Sequence, residues 1–123
     1  MENKRILVIE DDANIRDVLK LSLEFEGYKV VCAKNGKEGV DLLASTDPGL
    51  ILLDLMMPVM NGWEFVDYLK EKNLFSKYPV IVVSAYSERA KAIDCKDFVL
   101  KPLELEDLLL SVKKHFGTAN EHP

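Results

Sequence analysis

A three-layer α/β sandwich around a five-stranded parallel sheet is the fold this sequence predicts, on three observations. Short, unbroken apolar runs recur at Ile6-Leu7-Val8-Ile9, Leu50-Ile51-Leu52-Leu53 and Val80-Ile81-Val82-Val83, which suits strands buried on both faces of a sheet. Segments with apolar residues at helical spacing separate the runs, as right-handed crossovers between parallel strands require. The first two runs stop at acid, Glu10-Asp11-Asp12 and Asp54, so carboxylates emerge at strand ends, where open α/β sheets form their ligand crevice.

The elements follow in order. After the strand at 6–9, Ile15, Val18, Leu19 and Leu23 keep helical spacing, Asp12 is a credible N-cap and Gly27 stands where a helix C′ residue belongs. Residues 28–33 read as the second strand. Asn35-Gly36 opens a short helix carrying Val40 and Leu43, and Asp47-Pro48-Gly49 turns the chain into the third strand. A loop from Leu55 through Pro58 reaches Asn61-Gly62, where a helix starts with Phe65, Val66 and Leu69 on one face. Pro79 introduces the fourth strand, which ends at Ser84, and Phe98-Val99-Leu100 forms the fifth, ending at Lys101-Pro102. The last helix repeats Leu105, Leu108, Leu109, Val112 and Phe116 at i, i+3, i+4, i+7 and i+11. Strand order does not follow from periodicity alone. Order 2-1-3-4-5 would set the first and third strands side by side at the switch point and bring Asp11 next to Asp54.

Composition narrows the setting. A chain of 123 residues has the size of one domain. No apolar stretch is long enough to span a bilayer, and the amino terminus leads into a run much shorter than the hydrophobic region of a secretory signal. The expected location is therefore the cytoplasm, with no membrane partner. Cys32 and Cys95 lack ligand-type spacing and are expected to be reduced, partly buried thiols. Twenty-one acids against sixteen bases give a net charge of −5 without a Lys/Arg stripe, which argues against direct nucleic-acid binding.

The strand-terminal residues, Glu10, Asp11, Asp54, Ser84 and Lys101, carry the chemistry. Like charges a few ångströms apart force one carboxylate to keep a proton or call for a hard cation, and Mg²⁺ with oxygen ligands is a common solution. Singly, each residue has a plainer role: Asp12 as an N-cap, Ser84 as a turn residue, Lys101 as a solvated strand end. Jointly they supply what phosphoryl transfer needs, namely metal-binding carboxylates, a nucleophile, a hydroxyl donor and a positive point charge.

At this point the chain resembles the receiver domain of bacterial two-component response regulators. The match rests on Ile-Leu-Val-Ile-Glu-Asp-Asp at 6–12, Leu-Leu-Asp-Leu-Met-Met-Pro at 52–58 with Gly62, Val-Val-Ser-Ala at 82–85 and Phe-Val-Leu-Lys-Pro at 98–102. Each motif alone is weak, but the ordered set is specific. The resemblance implies a flavodoxin-like fold with strand order 2-1-3-4-5, a receiver unit over residues 1–117, a polar C-terminal tail over 118–123 expected to be mobile, and a stand-alone or excised domain like the chemotaxis-type regulators. It implies a phosphoacceptor switch, not an enzyme acting on outside substrates, that assists its own phosphorylation and dephosphorylation.

The resemblance also implies roles. Asp54 would accept the phosphoryl group from a sensor histidine kinase, a histidine phosphotransfer protein or a small donor such as acetyl phosphate. Asp11, Asp54 and the backbone carbonyl of Met56 would ligate Mg²⁺, or Mn²⁺, with Glu10 holding the ion through water. Lys101 would pair with the phosphoryl oxygens and Ser84 would hydrogen-bond to them. Phe98 would turn inward in the active state and alter the face offered to a downstream protein, and the Lys101-Pro102 bond would be cis. Met56 and Tyr86 stand where the family tunes acyl-phosphate hydrolysis, and their bulk predicts a long-lived phosphoryl group.

One stretch departs from the pattern. Ser84 and Lys101 are seventeen positions apart, so the fourth helix is expected to be shortened or irregular, with Ser87–Ile93 as its only helical material. This keeps a pseudo-receiver scaffold acting without phosphorylation as an alternative. A small Mg-dependent phosphotransferase or hydrolase is another, with little chain left to build a substrate pocket. A nucleotide or flavin module is disfavoured because the loop after the first strand is acidic where a phosphate cradle needs glycines. Trp63 reads as a partly exposed core-edge residue, and His115 and His122 lie in the C-terminal region, away from the expected site, so neither is a good phosphohistidine candidate.

Overall fold

In the computed structural model, which describes residues 4–85 and 93–122, five parallel strands form one sheet in the order β2-β1-β3-β4-β5. The strands are β1 (Ile6–Ile9), β2 (Val30–Ala33), β3 (Leu50–Leu53), β4 (Val80–Ser84) and β5 (Asp97–Leu100), and the helices are α1 (Ala13–Phe25), α2 (Gly36–Thr46), α3 (Gly62–Glu71) and α4 (Leu105–Phe116). This is the α/β sandwich and the strand order that the sequence implies.

The unbroken apolar strands are explained by two cores, because successive side chains point to opposite faces. Leu7, Ile9, Ile51, Leu53, Val80 and Val82 pack with Phe65, Val66 and Leu69 of α3 and Leu43 of α2. Ile6, Val8, Leu50, Leu52, Ile81 and Val83 pack on the other side with Leu19 and Leu23 of α1 and Leu108 and Val112 of α4. Pairing Ile9 with Leu53 in register brings the next residues on both strands, Glu10 and Asp54, to the same rim.

The starts of α1, α2 and α3 sit at that rim and are capped by short polar side chains. Asp12 accepts from the amides of Asn14 and Ile15 at 2.9 and 3.1 Å. Asn35 accepts from Glu38 at 2.9 Å, and Asn61 and Glu64 form a reciprocal capping box at α3.

Several local expectations are corrected. β2 begins at Val30, two residues later than the second strand was expected to start, because Tyr28 turns inward instead and donates to the Gly117 carbonyl at 2.6 Å. Val18 keeps helical spacing yet is 48% exposed; it shares an outer face of α1 with Leu21 and Phe25. The polar tail expected to be mobile folds into a 3-10 turn over Ala119–Glu121. His122 there stacks on Phe116 with ring centroids 3.8 Å apart. Ser87–Ala92 of the expected short fourth helix, and Tyr86, lie outside the described residues, while Ile93 packs against the α2–α3 core. Trp63 is half-buried at the edge of that core, and both cysteines are half-buried free thiols. No described helix is long and apolar enough to cross a membrane.

Candidate functional site

The acids converge because two neighbouring strands end together. Asp54 still donates its amide to the Ile9 carbonyl at 3.0 Å, and Glu10 donates to Ala33 at 3.0 Å, so both residues leave the sheet in ladder geometry. Glu10 and Asp54 are buried, Asp11 is exposed, and one carboxylate oxygen from each of the three lies within 4.8 Å of the others. Arg16, one turn into α1, donates to the Glu10 carbonyl at 2.9 Å and the Asp11 carbonyl at 3.3 Å. It fixes the backbone of the acidic turn. Sequence reasoning missed Arg16, since nothing in its spacing distinguishes this half-buried residue from the exposed cations of the helices.

Lys101 arrives from β5, two strands from β3 and three from β1. Its amide bonds the Ser84 carbonyl at 2.9 Å, and its Nζ stands 2.6 Å from Glu10 Oε1 and 3.6 Å from Asp54 Oδ1. The Lys101–Pro102 peptide is cis. Ser84 is fully buried at the end of β4. Phe98, on the adjacent strand, is half-buried against the α2–α3 core. Met56 exposes its side chain while its neighbours Leu55 and Met57 are buried. His115 pairs with Asp97 at 3.2 Å and His122 with the Phe116 carbonyl at 2.6 Å, so neither ring has a described contact with the acids.

Among the described residues, the acids at the site outnumber the cations that face them. Burial, reinforced by neighbouring Glu10, pushes the Asp54 carboxyl up to about 7 against the opposing pull of Lys101. Burial alone would lower the Lys101 ammonium, but its bond to Glu10 and the Asp54 charge outweigh that and raise it above its ordinary value. Three carboxylates facing one ammonium fit a hard divalent cation, which binds oxygen ligands and prefers them ionised. Glu10, Asp11 and Asp54 could hold such an ion.

Comparison with known proteins agrees with this geometry. The family model described as the response regulator receiver domain matches residues 6–113. The chain is 38% identical, over a 129-position alignment covering 98% of it, to 56% of the "uncharacterized transcriptional regulatory protein YkoG" of Bacillus subtilis. It is 39% identical over 89% of its length to 48% of response regulator MprA of Mycolicibacterium vanbaalenii. The chain thus spans about half the length of the curated relatives it matches. Among solved structures, response regulator TrrA of Thermotoga maritima, crystallised with Mg²⁺ and BeF, is 33% identical with a TM-score of 0.82, covering 92% of this chain and 99% of that one.

Proposed function

Since the chain belongs to the response regulator receiver domain family, we propose that it is the phosphoacceptor switch of a two-component phosphorelay, with Asp54 as the acceptor. The observation that carries this reading is the burial of Asp54 beside Glu10 and Asp11, with the Lys101 ammonium 3.6 Å away. An Asp54 oxygen attacks phosphorus as the bond to the donor breaks, from phosphohistidine nitrogen or from the acetate oxygen of acetyl phosphate, and the leaving group carries the electron pair away. Asp11, Asp54 and the Met56 carbonyl would hold Mg²⁺ or Mn²⁺, with Glu10 acting through water. When bound, that cation offsets the repulsion between the attacking carboxylate and the phosphoryl oxygens.

The remaining roles belong to the chain itself. A phosphoryl group carries charge of about −2 at neutral pH, so it draws the Lys101 ammonium from Glu10 and accepts a hydrogen bond from the Ser84 hydroxyl. Movement at the end of β4 is passed to Phe98 on the next strand, which turns further into the α2–α3 side and changes the outer face of β5 and α4. The chain's contribution to its own phosphorylation and hydrolysis is this positioning, and exposed, apolar Met56 orients no attacking water, which favours a long-lived phosphoryl group.

Residues 1–117 make the receiver unit and 118–123 its tail. The phosphoryl source is a sensor histidine kinase or a histidine phosphotransfer protein in the cytoplasm, and the receiver reports to a downstream protein. The described charge pattern offers no stripe for a nucleic acid; the transcriptional title of the relative YkoG belongs to a protein about twice as long. The test is incubation with acetyl phosphate and Mg²⁺ followed by intact-mass measurement. One phosphoryl group should add to the wild type and none to Asp54→Asn; a labelled Asp54→Asn or an unlabelled wild type overturns the proposal.

A further inference from the structure

We infer that Gly36, the first residue of α2, is a positioning residue for the metal site, acting through the Met60 carbonyl on the loop that follows Asp54. The inference rests on the reading of that site given above. The loop is tied at its far end, where the Gly62 amide donates to Leu55 O at 2.9 Å and a Cβ on Gly62 would stand 2.7 Å from the Asp54 carbonyl. Its middle is strained. Met60 N donates to Pro58 O at 2.8 Å, closing a three-residue turn around Val59, whose φ is 70°. A turn of this kind with positive φ is rare and strained, and a β-branched residue makes it more so. Val59 is 73% exposed, so its side chain supplies little of the hold.

Such a conformation persists only where its surroundings over-determine it, and α2 provides the constraint. The first amides of a helix lack intrahelical partners, and that of Gly36 donates to Met60 O at 3.0 Å. A Cβ on Gly36 would lie 2.7 Å from both that oxygen and Met60 Cγ. Close approach is therefore what calls for glycine here. Met56, whose carbonyl is the proposed ligand, lies between Asp54 and this latch. With the latch open, the Val59 turn relaxes, the loop spreads over other conformations, and metal affinity falls by the fraction of time the competent one is lost.

A second glycine on the same helix provides the control. A Cβ on Gly39 would meet Ile9 and Phe65 in the core, so Gly39→Ala costs packing without touching the loop. Mg²⁺ titration followed by the fluorescence of Trp63, at the loop's far end, should show Gly36→Ala binding about tenfold more weakly and Gly39→Ala binding as wild type. In parallel, hydrogen exchange of the wild-type Gly36 amide should slow on adding Mg²⁺, a readout that survives any failure of Gly36→Ala to fold. Wild-type affinity in Gly36→Ala, equal weakening in both variants, or a Gly36 amide indifferent to Mg²⁺ in a wild type that binds it overturns the inference alone. A wild type with no response to Mg²⁺ overturns the metal site, and the inference with it.

Discussion

The Lys101 ammonium is closer to Glu10 than to Asp54: 2.6 Å against 3.6 Å. Lys101 thus occupies part of the electrostatic role that a cation would fill, and a phosphoryl oxygen must compete with Glu10 to recruit it. Both acids are buried, so the ammonium acts on them with little solvent screening.

Lys101→Ala should therefore bind Mg²⁺ more tightly, by roughly three- to tenfold at an effective dielectric typical of such sites. The same variant should show a smaller phosphoryl-dependent change in hydrogen exchange across β5, because only the route through Ser84 and β4 then links the phosphoryl oxygens to that strand. Titration of Trp63 fluorescence and exchange with and without acetyl phosphate check both halves. Weaker Mg²⁺ binding in the variant would contradict the arrangement.

Asp54→Asn should stabilise the metal-free protein at neutral pH. The Asp54 carboxyl titrates at about 7 in the fold against 3.8 as its ordinary value, so between those values the folded state holds the proton more tightly than the unfolded one. Stability on this account falls as pH rises from about 4 to 7, the reverse of a salt-bridged carboxylate. The variant should gain on the order of 1–3 kcal/mol over wild type at pH 7.5 and little at pH 4. Adding Mg²⁺ should narrow the gap by stabilising the wild type. Thermal midpoints at the two pH values measure this; a gap that widens on acidification has the wrong sign.

The fold was legible because unbroken apolar strands and helical spacing are local signals, and the strand-end acids followed from them. What stayed hidden depended on contacts across the chain. Tyr28 has the β propensity of a strand residue, yet its hydroxyl is drawn to Gly117, 89 positions away. Val18 keeps the spacing of a core residue, but the sheet covers only the side of α1 that carries Leu19 and Leu23. At the site, Asp11, Asp54 and Lys101 could be nominated by type and position. The Glu10–Lys101 pairing could not, because it depends on how far a lysine three strands away can reach. The Gly36–Met60 bond escaped for the same reason, since it joins elements whose relative placement only the packed structure fixes, whereas Arg16 makes a local contact that its spacing does not mark out.

Asp97 offers a test away from the acids. Burial pushes its carboxyl up, but the Ser111 hydroxyl at 2.7 Å, the Phe98 amide at 2.8 Å and His115 at 3.2 Å together hold it below the ordinary carboxylate value. Its contribution to stability is complete above the unfolded pKa and is lost as pH falls through the folded one. Asp97→Asn should cost about 1 kcal/mol at pH 7, discounted for partial exposure, and the cost should shrink toward pH 3. Urea midpoints across that range decide it, and a pH-independent cost would assign the loss to packing.

Removing residues 118–123 tests where the folded unit ends. Tyr28 reaches Gly117, within the shorter chain, and Phe116 keeps its contact with Tyr28 at 5.9 Å between ring centroids. What the truncation loses is the His122 ring stacked on Phe116 and its bond to the Phe116 carbonyl, together with the Thr118–Glu121 capping box. These contacts are half-exposed, so the expected loss is about 1 kcal/mol, or a thermal midpoint lower by roughly 2–6 °C. The acids, Lys101 and the loop after Asp54 lie at the opposite ends of the strands, so Mg²⁺ affinity and labelling by acetyl phosphate should match the full chain. A truncated protein that folds but labels more slowly would mean that the tail reaches the site through α4, and the boundary at Gly117 would have to move.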